Sequence, residues 1–227
     1  MGIKSETFID EMIGEIDSDT ITAFYGPPGS GKSTICFKYA LNCIKSKKKV
    51  FYIDTEGGFS AERLKQMEPN LDLSDIIVFS PKSFEQQKKL ILNLNKEIKN
   101  SKRVGLIIVD SIVMLYRLKL GDGPQKTNSE LAEQLRLLTE ISRTFNIPII
   151  VTNQMYTIFD TKEKKMVGGS LIEYWSKTIV ELGKLDSVRD ITLKKHKYKK
   201  EGETREFEIN NSGFVHIKRS RGFNLFR

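Results

Sequence analysis

Residues 26–33 read Gly26-Pro27-Pro28-Gly29-Ser30-Gly31-Lys32-Ser33, with Thr34 following. The spacing is a glycine, four variable positions, then Gly-Lys-Ser, which suits a loop that closes around a phosphate. Its glycines let successive backbone N–H groups turn inward toward anionic oxygens. A helix starting where the loop ends adds the positive pole of its macrodipole. On this reading Lys32 is the cation for β- and γ-phosphates, and the Ser33 hydroxyl is a ligand for Mg²⁺. The expected ligand is therefore ATP with Mg²⁺. A chance glycine-rich turn would not need the apolar strand pattern before the loop or the helical pattern after it.

Phosphate chemistry also needs an acid on the metal side and a group to orient water. Leu106-Ile107-Ile108-Val109-Asp110 is an apolar strand ending in a carboxylate, which makes Asp110 the candidate acid beside the metal. Glu56, in Tyr52-Ile53-Asp54-Thr55-Glu56-Gly57, is the candidate catalytic base; the alternative is that Asp54 and Glu56 only cap the following turn. Gln154, in Thr152-Asn153-Gln154, offers a neutral amide at the end of another apolar run. It is a candidate sensor of the γ-phosphate, or else an anchor for its loop.

These residues need elements to bring them together. Strand-like runs fall at Thr20–Tyr25, Val50–Thr55, Ile76–Ser80, Val104–Asp110 and Ile147–Thr152. Helical patterns separate them at Ser33–Ser46, Ala61–Glu68, Phe84–Asn100 and Ser129–Phe145. In the last helix Leu131, Leu135, Leu138 and Phe145 share a face, interrupted by Ser142. The strands are almost wholly apolar rather than alternating, as in parallel strands covered on both faces. The expectation is a doubly wound α/β sheet, with ligands at the carboxyl ends of its strands. After Lys177 the rhythm changes to consecutive strands at Lys177–Leu185, Asp190–Lys197, Arg205–Asn210 and Phe214–Ile217, an antiparallel extension at one edge. Phe8, Ile9, Met12 and Ile13 recur at helical spacing and predict a helix packed on the core. Tyr116–Thr127 and Met155–Gly169 fit no element and read as loops, either functional or disordered.

The 227 residues, without repeat or linker, suit one domain spanning 1–227. With 37 Lys and Arg against 29 Asp and Glu the net charge is +8, which favours a polyanionic partner. From Arg189 to Arg227 there are eleven basic residues against five acidic ones, so most of the excess lies in the last sixth of the chain. Cys36 and Cys43 lie seven apart on one helix, about 10 Å between Cα atoms, too far for a disulfide. They read as buried thiols in a reducing cytoplasm. No apolar run approaches a membrane span and residues 1–25 hold no signal-peptide core, so a cytoplasmic location is expected and no membrane partner.

The set Gly-Pro-Pro-Gly-Ser-Gly-Lys-Ser-Thr, Tyr-Ile-Asp-Thr-Glu-Gly, Ala-Glu-Arg-Leu, Leu-Ile-Ile-Val-Asp-Ser and Val-Thr-Asn-Gln resembles the RecA/RadA recombinase family, and within it the short archaeal paralogues of RadA. The resemblance runs in order from about Ser5 to Phe214. It implies a RecA-type P-loop ATPase core, a doubly wound, mostly parallel sheet with an antiparallel C-terminal extension. It implies a DNA-binding role in recombination and repair with weak ATPase activity. By position, Glu56 takes the role of the carboxylate that activates water, Gln154 that of the nucleotide sensor, and Arg63 that of the guanidinium stacked on adenine. Tyr116–Thr127 and Met155–Gly168 become two DNA-facing loops for single- or double-stranded DNA, with Arg117, Lys119, Lys126, Lys162, Lys164 and Lys165 as their cations. Lys195 and Lys197 resemble a Lys-x-Lys pair that reaches a neighbouring subunit's phosphate in some relatives; exposed strand lysines are the alternative.

Full recombinases of the RadA kind carry an N-terminal helix–hairpin–helix domain and a Phe-x-x-Ala polymerisation motif. Twenty-five residues precede Gly26, and none of them reads Phe-x-x-Ala. The expectation is an accessory protein that works with a RadA-type recombinase and carries out no strand exchange alone. Two other readings share the P-loop: a KaiC-like signalling ATPase with a protein partner, and a small-molecule kinase, which would need an Arg-rich lid that the sequence lacks.

Overall fold

The computed structural model describes residues 2–157, 164–185 and 188–217. Ten strands form one sheet: β1 (Ile21–Gly26), β2 (Lys49–Asp54), β3 (Ile76–Phe79), β4 (Val104–Asp110), β5 (Ile149–Thr157), β6 (Lys164–Met166), β7 (Ser176–Leu185), β8 (Val188–Lys195), β9 (Thr204–Asn210) and β10 (Gly213–His216). The order is β10-β9-β8-β7-β1-β5-β4-β2-β3, with β6 paired to β5. Strands β3, β2, β4, β5, β1 and β7 run parallel, and β7 to β10 are joined antiparallel. This is the doubly wound, mostly parallel sheet with an antiparallel extension that the apolar runs predict.

Helices cover both faces. They are α1 (Ile9–Ile13), α2 (Lys32–Lys45), α3 (Ala61–Met67), α4 (Phe84–Ser101), α5 (Met114–Lys119), α6 (Pro124–Phe145) and α7 (Gly169–Trp175). One apolar core lies between the sheet and α1, α2 and α3, built on Phe24, Tyr39, Tyr52 and Ile108. The other lies between the sheet and α4, α6 and α7, built on Phe51, Ile91, Ile107 and Leu135. Each β1 residue is buried, with Phe24 in one core and Ala23 and Tyr25 in the other. Apolar side chains on both faces of a strand are therefore required, which is why these runs do not alternate.

Local signals explain the boundaries. Ser60 and Ser83 cap α3 and α4, their hydroxyls accepting from the N–H of Arg63 and Gln86. Ser142, which interrupts the apolar face of α6, is fully buried, and its hydroxyl donates to the Ile147 carbonyl at 2.7 Å. It ties the end of α6 to the start of β5. Cys36 and Cys43 are buried free thiols.

Two segments depart from the expected loops. Tyr116–Thr127 is mostly helical: α5 covers its start, a 3-10 turn follows at Leu120–Asp122, and α6 begins at Pro124. Proline suits a first helical position because its missing N–H would have no partner there. In the second segment β5 continues to Thr157 and returns as β6, so its described part is a hairpin stem, followed by α7.

The predicted N-terminal helix forms as α1, with Ile9, Met12 and Ile13 buried. Its placement is reinforced by an ion pair between Arg205 and Glu11 at 2.5 Å and by a backbone bridge between Ile3 and Ile16. Met12 is fully buried. Truncation in Met12→Ala is expected to cost about 3 kcal/mol, read as a lower urea midpoint at unchanged m-value; a midpoint shift near zero would show α1 to be peripheral.

Candidate phosphate and nucleic-acid sites

Parallel pairing aligns the carboxyl ends of four strands. In register, Gly26 of β1 stands opposite Gln154 of β5, and Asp54 of β2 opposite Asp110 of β4. The four sequence signals thus meet along one edge of the sheet.

The loop between β1 and α2 is shaped by close approach. A Cβ on Gly26 would lie 2.2 Å from the Leu182 carbonyl oxygen of β7, so that position admits no side chain. Gly31 has φ +106°, a conformation that side chains rarely adopt. The Lys32 ammonium donates to the Gly26 and Pro27 carbonyls, both at 2.9 Å, and so lies folded over the loop. Burial pushes its pKa down, opposed by the Glu56 and Asp110 carboxylates. Ser30 is fully buried and its hydroxyl has no partner. An orphaned hydroxyl and a lysine held on weak carbonyl acceptors fit an anion that enters the loop. Two further cations flank the loop: Arg189 donates to the Gly29 carbonyl at 3.0 Å, and the Lys184 ammonium would stand 3.2 Å from a Cβ on Gly29.

Asp110 is buried at 4% exposure. Tyr52 of β2 donates to its Oδ2 at 2.6 Å, and Thr152 of β5 donates to its Oδ1. Burial first, and Asp110 second, push the Tyr52 phenol well above its usual range, so it stays protonated and remains a donor. Tyr52 and Thr152 sit inside the motifs around Asp54 and Gln154 but were not singled out from sequence. The alternation Tyr52–Asp54 along β2, which places both on one face, is the signal that would have found Tyr52.

Of the two carboxylates that sequence offered as turn caps, the structure gives that role to Asp54. Asp54 is the cap: its Oδ1 accepts from the N–H groups of Glu56, Gly57 and Gly58, and its Oδ2 from Phe59. Glu56 is exposed and accepts from Gln154 Nε2 at 2.8 Å. Gln154 Oε1 in turn accepts from Arg117. Arg63 is fixed on the turn between β9 and β10, donating to the Asn210 carbonyl at 2.6 Å and the Asn211 carbonyl at 3.3 Å.

The candidate DNA cations are dispersed. Lys119 is paired with Glu85 and Glu130, which fastens α5 to α4 and α6, and Arg117 is engaged by Gln154. Lys126 is exposed on α6, and Lys165 is exposed on β6 opposite Tyr156. Lys164 lies on β6 opposite Thr157, and Lys162 falls outside the described residues. Lys195 donates to the Glu173 carbonyl, and the Lys197 ammonium lies 4.9 Å from the Tyr198 ring centroid. A cleft of about 700 Å³ opens between the β5–β6 hairpin, α7 and β8, lined in part by Tyr116, Tyr156, Lys165 and Lys194. No helix among the described residues is long and apolar enough to cross a membrane.

Comparison with known proteins gives a consistent answer. The family model Rad51 matches residues 2–216. The chain is 42% identical over 219 residues to the DNA repair and recombination protein RadB of Methanococcus maripaludis strain C7, covering 93% of this chain and 99% of that one. It is 39% identical over 222 residues to the RadB protein of Methanosphaera stadtmanae, covering 94% and 95%. Among solved structures, that of the RadB recombinase superposes with a TM-score of 0.80 at 34% identity, covering 95% of this chain and all of that one.

Removing the Tyr52 hydroxyl leaves Asp110 Oδ2 without its donor in a buried setting. Tyr52→Phe is expected to lower stability by about 2 kcal/mol, measured by denaturant unfolding. Unchanged stability would mean that the carboxylate does not need this bond.

Proposed function

The chain belongs to the Rad51 family, and on that footing we propose that it is an ATP- and DNA-binding accessory protein of homologous recombination and DNA repair. The observation that carries the reading is the single edge at which the P-loop, Asp110, Glu56 and Gln154 converge. The relatives named RadB favour recombination over the signalling and kinase readings.

In this reading the loop Gly26–Ser33 holds the phosphates, through the backbone N–H groups of Gly29–Ser33 and of Thr34 in the first turn of α2, while Pro27 and Pro28, which have no N–H, shape its entry. Lys32 exchanges its two carbonyl acceptors for phosphate oxygens. Arg63, at the flank of the site, borders the base. Ser33 and Asp110 are the residues that would hold Mg²⁺, which when bound supplies positive charge to the phosphate oxygens. Each Asp110 oxygen accepts one hydrogen bond, so the carboxylate keeps lone pairs that would face the ion or its waters. Glu56 takes the proton of the attacking water. Its exposure, and its sharing with Gln154, fit slow hydrolysis.

DNA would meet Lys165 and Lys194, which line the 700 Å³ cleft, together with Lys126 of α6 and with Lys162 and Lys164, which neighbour Lys165 in sequence. A RadA-type recombinase is the proposed protein partner, and the cytoplasm the place of action. The edge strand β3 supports this. It pairs on one side with β2, Val78 is 37% exposed, and a groove of about 420 Å³ between β3 and α4 is lined by Phe79, Gln86 and Leu90. An extended peptide could add to that edge. The N-terminal segment is spent in packing on its own core through α1, so it is not available to join subunits, and we propose no strand exchange by this chain alone.

Two measurements test the reading. Glu56→Gln keeps the shape but is a poor base, so ATP binding is expected to persist while most hydrolysis is lost; hydrolysis at the parent rate would return Glu56 to a structural role. If about five phosphates are neutralised, log K against log salt should fall with a slope of about −4.5 on duplex or about −3.5 on single strands. Joint removal of Lys162, Lys164 and Lys165 should flatten it, and a flat response in the parent would argue against DNA as the ligand.

A further inference from the structure

Arg117 lies on α5, outside the P-loop and the strand ends, yet its guanidinium donates to Oε1 of Gln154. A guanidinium has donors and no acceptor, so it engages an amide through the oxygen alone. That choice decides the other end. With Oε1 turned to Arg117, Nε2 faces Glu56 Oε1 at 2.8 Å, with Met114 Sδ at 3.8 Å from the same nitrogen. An ionised carboxylate accepts and does not donate. Reversing the amide would set donor against donor at Arg117 and acceptor against acceptor at Glu56.

We infer that Arg117 is a positioning residue of the nucleotide site: it turns the N–H side of the Gln154 amide to Glu56, at the strand ends that carry the P-loop, so that this side and not the carbonyl is offered to a terminal phosphate. The inference rests on the proposed binding of ATP at the P-loop. It reassigns Arg117 from the DNA-facing set to phosphate recognition. Met114 and Arg117 both belong to α5, so one short helix contacts the amide at two points. Lys119, on the same helix, is anchored by Glu85 and Glu130, which fixes the platform from which Arg117 reaches.

The test is equilibrium titration of the full chain with ATPγS and with ADP, both with Mg²⁺, so that no turnover is needed. The parent should prefer ATPγS. Arg117→Met should reduce that preference about fivefold, the worth of one hydrogen bond, with ADP affinity unchanged. Arg117→Lys keeps a donor and should retain most of the preference. In a Gln154→Ala background Arg117→Met should have no further effect, because its action passes through the amide. Thermal melting of each variant checks that the fold is intact, and the ratio between two nucleotides on the same sample is insensitive to the fraction folded. An unchanged ratio in Arg117→Met, equal affinities in the parent, or a further fall in the Gln154→Ala background overturns the inference while leaving nucleotide binding in place. A parent that binds neither nucleotide overturns both.

Discussion

A carboxylate cannot be taken out of water without partners, and Asp110 sits at 4% exposure between two strands. Its oxygens are met by a phenol from β2 and a hydroxyl from β5. Both donors depend on register: a slip of one residue in either strand would send the hydroxyl to the opposite face. Satisfying one buried charge therefore fixes three neighbouring strands relative to one another. The same registers place Asp54 opposite Asp110 and Gly26 opposite Gln154. Thr55 adds a second lock at this edge, donating to the Ser111 carbonyl and accepting from the Ser111 N–H.

Around this rigid edge the polar side chains fall into two populations. Asp54, Tyr52 and Thr152 are buried and satisfied, and they hold backbone or carboxylate in place. Glu56, Gln154 and Arg117 lie nearer the solvent and bond to one another across three elements. The first group builds the loop that carries Glu56; the second ties that loop to β5 and α5 through side chains alone. Lys32 stands apart from both: it is buried, yet its carbonyl acceptors are weaker partners than phosphate.

What the sequence made legible follows the range of the interactions. The P-loop, the acid-ended strand and the alternation of strands and helices depend on neighbours within a few residues, and all are found where the patterns put them. The likeness to RadB-type chains was carried by those same local motifs. The family resemblance puts Arg117 and Lys119 in a DNA-facing loop, whereas the structure places both on the helix α5 and pairs them there. Their partners, Gln154, Glu85 and Glu130, come from elements distant in sequence, and no local pattern announces them. Ser142 likewise looked like a flaw in an apolar face, since its purpose is a carbonyl beyond the helix end. The extra length of β5 depends on pairing with β6, which the polar composition of that stretch concealed.

The sheet order has a consequence for how the chain acquires its shape. β1 is the first strand in sequence but lies in the middle of the sheet, between β5 and β7. Ile21 pairs with Ile149 on one side and Ser176 on the other, both far downstream. During synthesis the strand that leads into the phosphate loop emerges long before either neighbour exists. β2, β3 and β4, by contrast, pair with one another over shorter spans. Contacts that close long stretches of chain form late because loop entropy must be overcome first. The loop between β1 and α2, shaped by Leu182 of β7 against Gly26, is thus among the last parts of the molecule to mature. Until then an apolar strand with both edges open is exposed to mispairing.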